Sequence, residues 1–180
     1  MSSFRKSRAV FMGLAMAGAT TAAGVLGAGV TPALADTDTA STVVNVVVTS
    51  SITLTELTPS FTLTGAPGEV VTTGANPVRM RVTTNNFAGY TVTVAPRTAA
   101  LTPSIAGNTD TIPTNLLQVN GPAQGSAYVP LSFGTPVVVA TKSSASGADG
   151  DVIVNNYRIT IPFVRPDTYS GILDYVATTL

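Results

Sequence analysis

From position 50 onward, apolar and polar side chains alternate along the chain with a period of two. The clearest runs are Val78 to Val82, Tyr90 to Val94 and Tyr157 to Ile161, in which Arg or Thr separates successive apolar residues. This spacing is typical of a β-strand with one buried and one solvated face, whereas an amphipathic helix repeats its apolar residues about every 3.6 positions. We therefore predict that the apolar residues of these runs point into a core and that their Arg or Thr neighbours face solvent.

Further segments extend the strand pattern over most of the chain. Residues 52–55 and 61–64 alternate in the same way, and residues 43–49 and 137–141 are denser in valine, which suits strands covered on both faces. Turn-forming Gly, Pro and Asn residues separate the runs. The sequence predicts an all-β protein, an antiparallel β-sandwich of about nine strands with Greek-key connections.

One stretch departs from this regularity. Residues 99–128 are rich in Pro, Gly, Asn and Thr, and we expect a long irregular excursion containing one strand at Leu116 to Asn120. Long loops are often functional. A functional loop and a tolerated surface insertion both remain open.

The first 35 residues have the organisation of a secretion signal. Basic residues at positions 5, 6 and 8 precede a weakly apolar run, and Ala33-Leu34-Ala35 offers small residues where a signal peptidase cleaves. We expect cleavage before Asp36, which leaves a single domain over residues 36–180. A membrane anchor is the alternative, but Ala, Gly and Thr insert weakly. The mature protein is therefore expected to be extracellular, either secreted or retained at the cell wall, with no stable membrane span.

Charge argues against a nucleic-acid partner. Without the three basic residues of the leader, the chain has six basic and nine acidic residues. A protein that binds nucleic acid needs a basic surface to neutralise phosphates. We expect the mature protein not to bind nucleic acid.

Two elements near the end of the chain carry a family resemblance. Gly89-Tyr90-Thr91-Val92 is followed downstream by Ile-Pro-Phe at 161–163 and by a segment at 166–175 that contains Thr-Tyr-Ser-Gly. Together they resemble the closing half of WxL-type domains and related exported Gram-positive surface sandwiches. Tyr90 and Val92 stand where that family has Trp and Leu. The resemblance implies a β-sandwich that attaches non-covalently to the cell wall through Gly89, Tyr90 and Val92.

The residue types present argue against catalysis. The chain has no His and no Cys, and it shows neither a Gly-x-Ser-x-Gly element nor a Ser-x-x-Lys spacing at Lys142. Two close carboxylate pairs occur, Asp36 with Asp38 and Asp149 with Asp151, but neither has a context that would desolvate it. We expect neither an enzyme nor a cofactor.

Two positions raise minor alternatives. Asp149 and Asp151 flank Gly150 and offer hard oxygen ligands for calcium, but an Asp-Gly hairpin turn is the simpler interpretation, and we predict no metal site. Lys142 suggests an isopeptide crosslink to a neighbouring strand. Its place where a strand opens into a Ser-rich loop favours an exposed charge instead.

The valine-rich segment before the first alternating strand has no protective charge or proline. Val43, Val44, Val46, Val47 and Val48 are interrupted only by Asn45. Such a strand pairs within its own domain or with the open edge of a neighbouring molecule. We expect it to be covered within its own domain, with strand donation over residues 36–50 as the alternative.

These features predict an exported, non-enzymatic structural or adhesive protein of the bacterial surface. Its partners would be a wall polymer, other surface proteins or a second copy. The alternatives are a secreted carbohydrate-binding accessory module, which would cluster exposed aromatic residues on one face, and a small secreted inhibitor with a protruding rigid loop.

Overall fold

The computed structural model describes residues 36–180, and these residues are almost entirely β structure. The predicted signal peptide, including Ala33 and Ala35, lies outside the described residues. The chain divides into two units, Met1–Asn45 and Val46–Leu180. Described residues 36–45 of the first unit contain no helix or strand. Within residues 36–180, helices are too short and too polar to cross a bilayer.

Most of the second unit is built from short strands joined by turns. The strands are β1 (Ile52–Thr55), β2 (Val70–Thr72), β3 (Val78–Thr84), β4 (Tyr90–Pro96), β5 (Ala100–Pro103), β6 (Ile112–Pro113), β7 (Gln118–Asn120), β8 (Val129–Pro130), β9 (Val137–Lys142), β10 (Asp151–Thr160), β11 (Tyr169–Ser170) and β12 (Leu173–Thr179). Two single 3-10 turns, Thr114–Leu116 and Pro122–Gln124, are the helical elements of the described range.

The longer strands form an antiparallel sandwich, as the alternation predicts. One sheet has the order β1-β3-β10-β7-β8, with β2 also paired to β10, and the opposing sheet has the order β12-β4-β9. The chain crosses between the sheets from β3 to β4, from β9 to β10 and from β10 to β12. Strands β3 and β4, and strands β9 and β10, therefore belong to opposing sheets.

The core consists of the inward-facing residues of three central strands. In β3, β4 and β10 every second residue is buried, and its neighbours are half-buried or exposed. The prediction for the three alternating runs is confirmed at Val78, Met80, Val82, Tyr90, Val92, Val94, Tyr157 and Ile159, all at most 4% exposed. Burying these side chains supplies the main driving force for folding in a chain without disulfides.

A polar network lies inside this apolar core. The hydroxyls of Tyr157 and Tyr175 hydrogen-bond to each other, and Asn155 Nδ2 donates to the Tyr175 hydroxyl at 3.3 Å. The ring of Phe61 stacks on Tyr157 with a centroid distance of 4.6 Å. Tyr157 and Asn155 are fully buried, so these contacts satisfy hydroxyls that could not otherwise reach water.

A small sheet of order β11-β5-β6 lies beside the sandwich. Its loops are tied together by Asp167, whose carboxylate accepts hydrogen bonds from Ser104 N and Oγ, Ile105 N and Asn108 Nδ2 at 2.7–3.2 Å. Desolvation opposes ionisation, but these donors outweigh it and hold the pKa of Asp167 well below its usual value.

Three expectations about strands are wrong. Residues 61–64 keep an alternating pattern of exposure but pair with no strand. The stretch 99–128 is more regular than expected, since it contains β5, β6, β7 and both 3-10 turns, and Leu116 belongs to a turn. Residues 43–49 form no strand, and their valines are exposed rather than covered. Apolar composition gave the strand tendency of residues 43–49, but within the described residues no backbone pairs with them.

The sandwich has two distinct ends. At one end, here called the near end, β1 and β10 begin and β3, β9 and β12 finish. Two asparagines between β3 and β4 hold the segment before β1 and the residue after β12 there. Asn85 Oδ1 accepts from Ser51 N and its Nδ2 donates to Thr49 O, both at 2.8 Å, while Asn86 Nδ2 donates to Leu180 O at 2.9 Å. The opposite end is called the far end.

Candidate functional site

A cluster of three polar side chains joins the two sheets at the near end. Tyr90 begins β4, Lys142 ends β9 in the same sheet, and Asp151 begins β10 in the opposing sheet. Lys142 Nζ lies 2.8 Å and 3.1 Å from the two carboxylate oxygens of Asp151, and the Tyr90 hydroxyl donates to Asp151 Oδ2 at 3.0 Å. The cluster therefore crosslinks the sheets where the core meets solvent.

The environment of this cluster keeps the carboxylate ionised. Desolvation favours the neutral form of Asp151, but hydrogen bonds from Lys142 and Tyr90 outweigh it and lower its pKa. Burial, together with the hydrogen bond to Asp151, raises the pKa of Tyr90 to about 12. Lys142 and Asp151 therefore form an ion pair, and the lysine has both carboxylate oxygens, rather than an asparagine amide, as its side-chain partners.

Lys142 lies at the end of a strand, as expected, but its charge is paired. Its side chain is 38% exposed, and its charge is neutralised by Asp151, which is 26% exposed. The sequence contained a signal for this contact. Asp151 is in phase with the inward-facing Ile153 and Asn155 of β10, so the alternation extended by one step turns its carboxylate toward the core side.

Asp149 and Asp151, the predicted calcium alternative, have different partners. Gly150, with φ +78°, completes a tight turn in which its N–H donates to Gly147 O at 2.9 Å. Asp151 is held by Lys142, while the backbone carbonyl of Asp149 accepts from Arg81 Nη1 at 2.8 Å. No group of three acidic, His or Cys residues in the described part of the chain is arranged to hold a metal ion.

The residues that carry the family resemblance lie in the core. Tyr90 is 3% exposed and Val92 is fully buried. Gly89 has φ +96°, and a Cβ at this position would overlap the backbone of Lys142. The three residues therefore shape the start of β4 and pack the core. Their predicted contact with the cell wall stays a prediction, and their side chains offer little surface for it.

Aromatic residues do not form a single exposed platform. The described range contains all five tyrosines; two are buried and three are half-buried. Phe87 at the near end, Phe133 in the turn between β8 and β9, and Phe163 after β10 at the far end are 94%, 58% and 95% exposed. The most exposed two, Phe87 and Phe163, stand at opposite ends of the sandwich.

A shallow groove of about 520 Å³ lies between residues 58–62 and the junction of β2 with β3. Its walls are mainly hydroxyl and amide side chains, including Thr58, Ser60, Thr73 and Asn76, and its one titratable lining residue is Arg79. Such a lining has no general acid or base.

The largest run of exposed apolar residues precedes the sandwich. Val43, Val44, Val46, Val47 and Val48 are 78–88% exposed. Next to them, Thr49 and Ser51 are bound by Asn85 at the near end. Exposed apolar runs are a common feature of interaction sites, and this run is a candidate for one.

Known proteins add no identification. No protein-family model, curated protein or solved structure matches this chain.

Proposed function

We propose that this protein is an exported, non-enzymatic structural or adhesive component of a bacterial cell surface, retained there by non-covalent contacts. The observation that carries the proposal is the exposure of five valines between positions 43 and 48, which lie outside every strand of the described residues. Exposed valines are costly in water, so a segment of this composition is best explained by a partner that covers it.

The construction of the sandwich supports a structural role. Salt bridges and hydrogen bonds link its strands at both ends: Lys142 with Asp151 at the near end, and Arg97 with Asp174 where β4 leaves the far end. Asn85 and Asn86 also attach Ser51, just before β1, and Leu180, just after β12, at the near end. These contacts hold the strands together at both ends of the sandwich.

Export and retention are tested by fractionating the producing cells. We expect the protein in the envelope fraction with Asp36 as its first residue, because Ala33 and Ala35 fit a signal peptidase site. We expect Val46→Asp to move protein from the envelope to the culture fluid, and Asn45→Asp, which adds the same charge next to it, to do so less. Intact protein beginning at Met1 in the cytoplasm would contradict the proposal.

A further inference from the structure

Strand β12 presents the longest unpaired edge in the described part of the sandwich. It pairs with β4 along all seven residues and is the terminal strand of its sheet. Its sequence, Leu173 to Thr179, has no Pro, Lys or Arg, the residues that usually protect an edge. By contrast, the edge of β9 is engaged by Gln124, whose side chain donates to Val138 O.

The hydrogen-bond phase of β12 shows which backbone groups are free. Arg97 N donates to Ile172 O, and Leu180 N donates to Gly89 O. These even-numbered residues of β12 and its flanks direct their N–H and C=O groups to β4. The odd-numbered residues, Leu173, Tyr175, Ala177 and Thr179, therefore direct theirs to the open edge.

The same residues are incompletely covered on the core side. Leu173, Tyr175 and Ala177 pack against the core but are half-buried, whereas the inward residues Val92 and Val94 of the neighbouring β4 are fully buried. β1 of the opposing sheet approaches β12 without pairing with it, and one further strand hydrogen-bonded to β12 would complete this cover if its inward side chains were apolar.

The exposed segment before β1 has the required pattern. In an extended strand, Val44, Val46 and Val48 form a wholly apolar face, and Val43, Asn45 and Val47 form the other. With no Pro in the segment, each of its backbone N–H groups can donate. The segment therefore matches the edge of β12 in hydrogen-bonding capacity and offers an apolar face for the core side.

Pairing of residues 43–48 with β12 of the same molecule would be parallel, which is the less favourable direction. Thr49 and Ser51 are fixed at the near end, so residues 43–48 laid on their own β12 would run toward that end, as β12 itself does. The pair would be parallel. Antiparallel pairing, which is slightly more stable, requires the β12 of another molecule.

We propose that residues 43–48 of one molecule add as an antiparallel strand to the open edge of β12 in a second copy, which makes the protein a head-to-tail polymer. In this arrangement the body of the donor lies beyond the far end of the acceptor. Each added copy leaves its own β12 open, so the contact is heterologous and the chain of molecules does not close. This inference rests on the proposed structural role and names its partner.

Two variants test the donor strand and the acceptor edge separately. Val46→Asp places a charge on the inward face of the donor, while Asn45→Asp places the same charge on the outward face and serves as its control. Ala177→Pro removes an N–H from the open edge of β12 but none from the ladder with β4, and proline is tolerated at such edge positions.

Sedimentation velocity at increasing concentrations of the purified protein provides the test. We expect a series of oligomers for the natural sequence and for Asn45→Asp, and monomers for Val46→Asp and Ala177→Pro alone. An equimolar mixture of Val46→Asp and Ala177→Pro should form dimers, because one supplies the intact edge and the other the intact strand. Circular dichroism melting checks that Ala177→Pro is folded. If it is not, Thr179→Pro, which removes an N–H from the same open edge at the end of β12, replaces it as the acceptor variant.

Three results would overturn the inference. A natural protein that stays monomeric has no donated strand, and a natural protein that stops at a dimer exchanges strands reciprocally in the parallel direction. A mixture that stays monomeric while both variants are folded shows that β12 is not the acceptor. In each case, envelope retention measured by fractionation still decides the proposed function separately.

Discussion

Lys142 Nζ lies 2.8 Å from Asp151 Oδ2 and so connects the last residue of β9 to the first residue of β10 across the two sheets. The connection closes the near end of the core, where Tyr90 also donates to the same carboxylate. In a domain without disulfides, such an ion pair and hydrogen bond limit how far the sheets separate at their ends.

The first prediction concerns stability in acid. The folded pKa of Asp151 lies below its ordinary value of 3.8, so the unfolded chain takes up protons first as pH falls. The stabilisation is fully present above 3.8 and is lost as pH falls from there through the lower pKa of the folded state. We expect Lys142→Met to cost about 1 kcal/mol at neutral pH, a value that allows for solvent screening. We also expect a shallower loss of stability in acid, measured by urea unfolding at several pH values.

Asp167 and Asp174 also have lowered pKa values, so Lys142→Met removes only part of the acid dependence. Arg97→Met, which unpairs Asp174 at the opposite end, is the matched control. An acid profile of Lys142→Met identical to that of the natural protein would show that the near-end pair contributes nothing.

The second prediction concerns the hydroxyls in the core. Tyr175→Phe leaves the buried hydroxyl of Tyr157 and the side-chain amide of Asn155 without their common partner. A buried unpaired polar group costs about 1–3 kcal/mol, and we expect a decrease of that size in the free energy of unfolding. Tyr128→Phe removes a hydroxyl with no side-chain partner and should change stability little. Equal effects of the two changes would argue against the network.

The third prediction separates two reasons for glycine in the turns. Gly89 and Gly68 have similar positive φ angles, +96° and +89°, but a Cβ at Gly89 would overlap the Lys142 backbone whereas one at Gly68 meets no atom within 4 Å. Gly68→Ala should cost about 1 kcal/mol for the backbone conformation alone. Gly89→Ala should cost clearly more. Equal midpoints in thermal unfolding would show that the close approach is relieved at no cost.

The sequence predicted the structural features that are decided within a single strand, such as which side chains face the core. The alternation in β3, β4 and β10 decides which side chains face inward, because the period of two is a property of the extended backbone itself. It did not predict which strands pair. Residues 61–64 alternate like β1 but lack a partner, since pairing depends on distant segments. Likewise, Lys142 finds Asp151 only because the fold brings β9 and β10 together.

The valine segment shows the same limit with a functional consequence. Its composition predicts a strand, and the structure leaves residues 43–48 outside every sheet of the described chain. Local propensity gives the conformation that the segment prefers, but the backbone groups it pairs with can belong to another molecule. In the proposed polymer, residues 43–48 form the strand that their composition predicts by pairing with another molecule.

The last prediction tests the sandwich register directly. Val92 lies at the centre of β4 and is fully buried, while its neighbour Thr91 points to the other face of the sheet. Val92→Asp forces an unpaired carboxylate into the core, and we expect a loss of at least about 3 kcal/mol in the free energy of unfolding. Thr91→Asp adds the same charge on the half-buried outer face and should cost about 1 kcal/mol or less. Because a shift of one residue in register would exchange the two faces, the reverse order of costs would place β4 in the opposite orientation. Thermal unfolding of both variants, followed by circular dichroism, distinguishes these outcomes.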